Sequence, residues 1–309
     1  MNRRDFIGRL SLAAASLGPL STLPSAAAEK TFRFRYILSS AMYGTMPLEV
    51  ILPEVAKTGA DAIDIWQLPH GNQREQIDEM GLDAFAELLT KHKVKLGVST
   101  RYPLGPLKLQ PEMEFVKRLG GKMVLCGSIG PREPKGEEAK VAVKAFLETM
   151  KPHVARAEEL RVVMAIENHD NQLLYHPDSL RYFAEFNRSK HIGIAFALHH
   201  LHAFTSEIPK LIEDLGNDQI PFIYFQEHGE GIRKKVPKEE EMKQMPGFGG
   251  GLDYRPIVRA LRKINYSGYA EIFMHPTPRG IPILPTAGEI TQAINASRAY
   301  LKNCLKETA

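Results

Sequence analysis

Val162-Val163-Met164-Ala165-Ile166-Glu167-Asn168-His169-Asp170 is a short apolar, partly β-branched run that breaks off in an acid, an amide, an imidazole and a second acid. The first five residues suit a strand buried on both faces, as in a parallel sheet. Glu167 stands where the apolar support ends, and the residues after it carry metal-binding or hydrogen-bonding atoms. Taken alone, such an acid most often opens a solvated loop. Its significance therefore depends on what the rest of the chain brings to the same place.

Working outward from this stretch, apolar runs of strand length alternate with segments of helical period. Strands are expected at Phe32 to Leu38, Ala62 to Trp66, Val94 to Ser99 and Met123 to Cys126, and after the opening stretch at Ile192 to Leu198, Phe222 to Gln226 and Tyr269 to His275. Helices are expected at Pro47 to Lys57, Leu82 to His92, Pro111 to Leu119, Glu137 to Leu160, Asp178 to Phe186, Glu207 to Leu215, Arg255 to Ile264 and Ala287 to Leu305. Eight strand-helix pairs predict a single (β/α)8 TIM barrel over residues 29–309, close to the usual size of about 250 residues. A doubly wound open sheet would want a glycine-rich phosphate loop after the first strand, where Ser39-Ser40-Ala41-Met42-Tyr43-Gly44 stands instead. The longest irregular segment, His228 to Tyr254, follows strand seven, and long loops at that end of a barrel usually cover the active site.

Residues 1–28 have another character. The pair Arg3-Arg4, a small apolar run from Leu10 to Leu20 and the site Pro24-Ser25-Ala26-Ala27-Ala28 predict a cleaved twin-arginine export signal and a periplasmic or secreted protein. The apolar run is too short and too broken for a membrane anchor. The formal charge is +4; losing Arg3, Arg4, Arg9 and Asp5 with the signal leaves about +2, which gives no electrostatic reason for a nucleic-acid or membrane partner. A homo-oligomer is compatible with this composition. The two cysteines, Cys126 and Cys304, read as free packing residues.

Catalytic groups in a TIM barrel lie at the C-terminal ends of its strands, and polar residues gather there in this chain. Strand two carries Asp64 and Trp66, strand five ends in Glu167, and strand six runs into His199-His200-Leu201-His202. Strand seven ends in Gln226-Glu227-His228, and strand eight places Glu271, Phe273 and His275 on one face by period-two alternation. Gly193, Ala195 and Ala197 on strand six are small enough to leave room for a compact substrate. Converging carboxylate and imidazole side chains are the donor set of a Zn, Mn or Co site. The expected metal ligands are Glu167, His200, His228 and His275. His199 and His202 read as packed or solvent-facing, since one side chain per strand end usually suffices. His169 and Glu271 are the expected proton-transfer groups, and Asp64, Trp66, Asn168, Gln226 and Arg279 the expected substrate contacts. Arg279 follows a proline-bordered turn, where a guanidinium suits a substrate carboxylate or hydroxyls.

With Glu167-Asn168-His169 after strand five and Tyr266-Ser267-Gly268-Tyr269 before strand eight, the chain resembles the xylose isomerase-like TIM barrels, the sugar isomerases and epimerases that also include endonuclease IV. The resemblance extends over everything after the signal. It implies a divalent metal bridging two adjacent sugar oxygens, flanked by acid/base groups that move a proton beside a carbonyl, and it makes Glu167 a metal ligand. There are departures. Where the family commonly has Asp-x-x-His after strand six, this chain has Ala197-Leu198-His199-His200; Gln226 stands near the family's strand-seven histidine, and Phe273 at its strand-eight glutamate. The chain therefore looks like an exported subgroup with a rebuilt, histidine-richer site.

The expected function is a metal-dependent isomerase, epimerase or lyase acting on an unphosphorylated sugar or keto-sugar. Two alternatives remain from the residues. A glycoside hydrolase could use Glu167 and Glu271 as its carboxylate pair without a metal, and a carbohydrate-binding barrel could have lost catalysis along with the strand-six aspartate.

Overall fold

A computed structural model describes residues 32–308. The predicted export signal lies outside the described residues. Eight parallel strands close into a barrel in sequence order: β1 (Arg35–Ser39), β2 (Ala62–Ile65), β3 (Lys95–Thr100), β4 (Met123–Gly127), β5 (Val163–Glu167), β6 (Ile192–Ala197), β7 (Phe222–Phe225) and β8 (Tyr269–Ile272). The helices α1 (Leu48–Val55), α2 (Gln73–Met80), α3 (Leu82–His92), α4 (Gln110–Arg118), α5 (Gly136–Leu160), α6 (Pro177–Phe186), α7 (Ile208–Gln219), α8 (Lys238–Met242), α9 (Tyr254–Lys263) and α10 (Ala287–Glu307) lie along the connections. This is the (β/α)8 TIM barrel that the alternating pattern predicts.

Most of these elements follow from local chemistry. The strands are almost wholly buried, as apolar runs covered on both faces must be. Helix α10 opens with a capping box, in which the Thr286 hydroxyl accepts from the Glu289 N–H and the Glu289 carboxylate accepts from the Thr286 N–H. Helix α5 ends where Arg161 turns left-handed at φ 55°, and the N–H groups of Arg161 and Val162 return to the carbonyls of Glu158 and Ala157. That tight reversal feeds the chain directly into β5.

Three features depart from the sequence expectation. Helices α2 and α8 occupy stretches without an expected element; both are short and largely polar, so neither shows an apolar period. Strand six stops at Ala197, and a 3-10 helix runs from Leu198 to Glu207. Strand eight stops at Ile272 rather than continuing to His275.

The pairing of β6 sets the width of the barrel mouth. Ala195 and Ala197 pair in register with Glu167 and Tyr224, so small side chains stand between two large polar ones. Gly193 is required for a different reason. A Cβ there would come within 2.5 Å of Pro221, just before β7, and larger residues would push that turn away.

Candidate active site

A cavity of about 280 Å³ opens at the C-terminal ends of the strands, lined by Trp66, His70, Tyr102, Glu167, His169, Asp170, His199, His200, His202, Tyr224, His228, Ile232, Arg233, Phe273, His275 and Arg279. Seven of the chain's eleven histidines stand on its wall. Ile232 and Arg233 come from the long segment after β7, which therefore borders the mouth.

Glu167 ends β5 and is 3% exposed. Burial pushes its carboxyl up to about 8, against the lowering effect of His169. Beside it, the 3-10 turn after β6 brings in two consecutive histidines. In a strand, neighbours face opposite ways; the tighter turn from Leu198 breaks that rule and lets both His199 and His200 reach the cavity. Glu167, His199 and His200 offer ligand atoms that all lie within 4.8 Å of one another.

The hydrogen bonds around His200 decide which nitrogen faces the acid. Its Nδ1 is 2.9 Å from Asp170 Oδ1, and its Nε2 is 3.7 Å from Glu167 Oε1. Asp170, held ionised by donors from His169 and His200, has a pKa well below the usual carboxylate range, so it can only accept and Nδ1 must carry the proton. The His200 Nε2 lone pair is then aimed towards Glu167. At 3.7 Å the two atoms are too far apart for a hydrogen bond, yet close to the ~3–3.5 Å expected of two atoms each about 2.0–2.2 Å from one ion. A carboxylate behind a histidine that turns its other nitrogen forward is a common arrangement around protein-bound metals. Arg233 in turn pairs with the far oxygen of Asp170.

His199 supplies the test of fit. It is 2% exposed, and neither of its ring nitrogens has a hydrogen-bond partner among the described residues. Burial, reinforced by His200 and His275, keeps the ring neutral, well below the usual histidine range. A buried polar ring without partners costs free energy. A divalent cation between His199, His200 and Glu167 would satisfy the lone pairs and supply the charge the buried carboxylate lacks. The residues present thus fit such an ion.

The His169 ring lies against that of His200, tilted by 39° at 3.8 Å between centroids, and its Nδ1 approaches the Asp170 carbonyl at 2.7 Å and carboxylate at 3.1 Å. Burial opposes its protonation, but the Asp170 and Glu167 charges outweigh burial and push it up to about 9.

Of the four expected metal ligands, the structure brings Glu167 and His200 together and leaves the other two apart. His228 stacks on His202 at 3.7 Å, and His275 hydrogen-bonds Gln226; neither belongs to a cluster of ligating atoms among the described residues. His199 takes the third place. Of the expected proton-transfer groups, His169 lines the cavity, whereas Glu271 is fully buried inside the barrel beside Asp64. Burial raises Asp64 to about 8 even though Thr100 Oγ1 donates to it at 2.8 Å, and burial together with Asp64 holds Glu271 well above the carboxylate range. Among the expected substrate contacts, Trp66 and Arg279 line the cavity, with Trp66 stacked on Phe273 at 5.0 Å. Arg279 spends two N–H groups on the carbonyls of Pro276 and Ile232. Asp64, Asn168 and Gln226 are fully buried behind the wall. Asn168 clamps β6 instead: its Nδ2 donates to the Ala197 carbonyl at 3.0 Å and its Oδ1 accepts from the Ala197 N–H at 2.8 Å, which fixes where the histidine turn begins.

The fold and this mouth define a (β/α)8 barrel with a histidine-rich site at the C-terminal ends of its strands. The sequence profile of the xylose isomerase-like TIM barrel matches residues 52–304, and the chain belongs to that family. No curated protein matches the sequence. Solved structures share the fold at low identity. The IolI protein with a bound zinc atom superposes with a TM-score of 0.68 at 20% identity over 89% of this chain and 99% of its own. D-psicose 3-epimerase in the presence of D-fructose gives 0.64 at 13% identity, over 88% and 99%. The 3-keto-D-glucoside 4-epimerase YcjR of E. coli gives 0.62 at 14% identity, over 88% and 100%.

Proposed function

We propose that this chain is a divalent-metal-dependent sugar isomerase or epimerase that moves a proton on a carbon next to a carbonyl. The observation that carries the reading is the buried, partnerless His199 facing Glu167 and His200. These three residues would hold the ion, with Asp170 orienting His200 from behind. When bound, the ion supplies Lewis-acid polarisation of a substrate oxygen. His169, on the wall beside Glu167, is the residue for proton transfer. The cavity has the volume of roughly nine waters, which suits one monosaccharide unit, and the Trp66 and Phe273 rings offer it an apolar face. The relatives named above that act on ketoses and keto-glycosides support the same substrate class. The twin arginines at Arg3-Arg4 support an exported, periplasmic or secreted enzyme, for which the substrate would be unphosphorylated.

A glycoside hydrolase built on Glu167 and Glu271 is disfavoured, because Glu271 is fully buried and does not line the cavity. The test is metal analysis of the purified full-length protein together with interconversion assays on a panel of ketoses, before and after chelation. The expected result is metal-dependent interconversion that is abolished in Glu167→Gln. Wild-type protein that holds no metal and turns over no sugar under any added divalent ion would overturn the reading.

A further inference from the structure

The segment just beyond β8 contributes a histidine whose tautomer is settled by four connected hydrogen bonds. The backbone N–H of His275 donates to Gln244 Oε1 at 3.0 Å, and Gln244 Nε2 donates to the His275 carbonyl at 2.9 Å. A backbone N–H cannot accept and a carbonyl cannot donate, so the Gln244 amide has one permitted orientation. Gln226 then presents its NH2 group to Gln244 Oε1 at 2.8 Å, since only a donor can face that oxygen. The same NH2 group lies 3.0 Å from His275 Nδ1. An amide NH2 has no lone pair to offer, so Nδ1 is the acceptor and the proton of the neutral ring is on Nε2. Removal from bulk water, reinforced by the charge of Arg279, favours the neutral form.

We infer that His275 does not hold the ion but presents a neutral Nε2–H as a hydrogen-bond donor to an oxygen of a polyhydroxylated carbonyl substrate, with Gln226 and Gln244 as the positioning residues that set this tautomer. Its ring lines the same cavity as the Glu167, His199 and His200 cluster, 5.6 Å from the His199 ring, yet belongs to no ligating cluster among the described residues. The two sides of the mouth thereby divide the work. A nitrogen lone pair faces inward at His200, and an N–H faces inward at His275. Neutral imidazole is suited to this place because it can stabilise charge developing on an oxygen without surrendering a proton to bulk solvent. The identity of the oxygen rests on the proposed function; the tautomer does not.

The experiment is long-range proton–nitrogen correlation NMR on the full-length protein labelled with 15N-histidine, with and without zinc, using His275→Gln to assign the ring. The expected result is an unprotonated Nδ1 and a protonated Nε2, both unmoved by zinc, and a zinc affinity of His275→Gln within about threefold of wild type by chelator competition. Gln226→Glu replaces the donor with an acceptor and is expected to transfer the proton to Nδ1. If Gln226→Glu fails to fold, the wild-type spectrum and the His275→Gln affinity still decide. With a turned-over sugar in hand, His275→Leu is expected to lower kcat by about 10²–10³ with zinc retained, the usual cost of removing one such donor. An unprotonated Nε2, a zinc-dependent shift of His275, or a tenfold loss of zinc affinity in His275→Gln would overturn the inference. If the protein binds no metal and turns over no sugar, the proposed function fails, while the Nε2 signal still decides the tautomer.

Discussion

The mouth of the barrel has two sides built from the same residue type and wired in opposite ways. On the β5–β6 side, His200 gives its Nδ1 proton to a carboxylate, Asp170, and turns a lone pair inward. On the β7–β8 side, His275 accepts at Nδ1 from an amide, Gln226, which leaves an N–H at Nε2 on a ring that lines the cavity. An imidazole in isolation could do either. What it offers the cavity is decided by the residue behind it, an acceptor in one case and a donor in the other.

The largest effect is expected where that contrast is anchored. Glu167→Gln removes the only carboxylate in the cluster with His199 and His200. Zinc affinity, measured by chelator competition, should fall by more than the 10–100-fold that an outer-shell change costs. An affinity within threefold of wild type would remove Glu167 from the ion's ligands. Next, Asp170→Asn replaces a pure acceptor with a group that can also donate, allowing His200 the tautomer that His275 has. Zinc affinity should drop about 10–100-fold with the fold intact by circular dichroism; no change would mean that the backing residue does not set His200.

A third prediction concerns the buried acids beneath both sides. Asp64 has its pKa raised to about 8 by burial. Below about pH 4 it is protonated whether folded or unfolded. Between about pH 4 and 8 the unfolded chain releases the proton while the folded chain keeps it, so stability falls as pH rises through that window. Asp64→Asn should therefore gain on wild type by up to a few kcal/mol at pH 9 and by little at pH 5, measured by urea melts at the two values. An equal difference at both would show that Asp64 ionises normally. The smallest effect is expected at Arg233, whose side chain is 67% exposed. Arg233→Ala should weaken zinc binding no more than about fivefold, because exposed ion pairs contribute at most about 1 kcal/mol.

Much of this was legible in the sequence. Eight apolar runs alternating with helical periods determined the barrel, because a strand buried on both faces cannot hide its composition. The same pattern placed Glu167 at a strand tip, and the family resemblance made it an expected ligand. It also brought His169, Trp66, His200, His275 and Arg279 to one end of the barrel, where all of them line the cavity. The polar helices α2 and α8 left no such trace.

Tertiary structure alone decided the rest. The pairing of His199 with His200 needed the 3-10 turn, which ends the two-residue alternation on which the strand-tip reading relied. Asn168, an expected substrate contact, instead closes its amide on Ala197, 29 residues further along the chain. Gln244, in the long segment after β7, carried no signal at all; it acts only because the fold lays it against the backbone of His275. Sequence determines which groups arrive at the mouth, since periodicity and burial are properties of short stretches. Which nitrogen each histidine presents is determined by partners distant in the chain, and hydrogen bonds between such partners exist only once the barrel has closed.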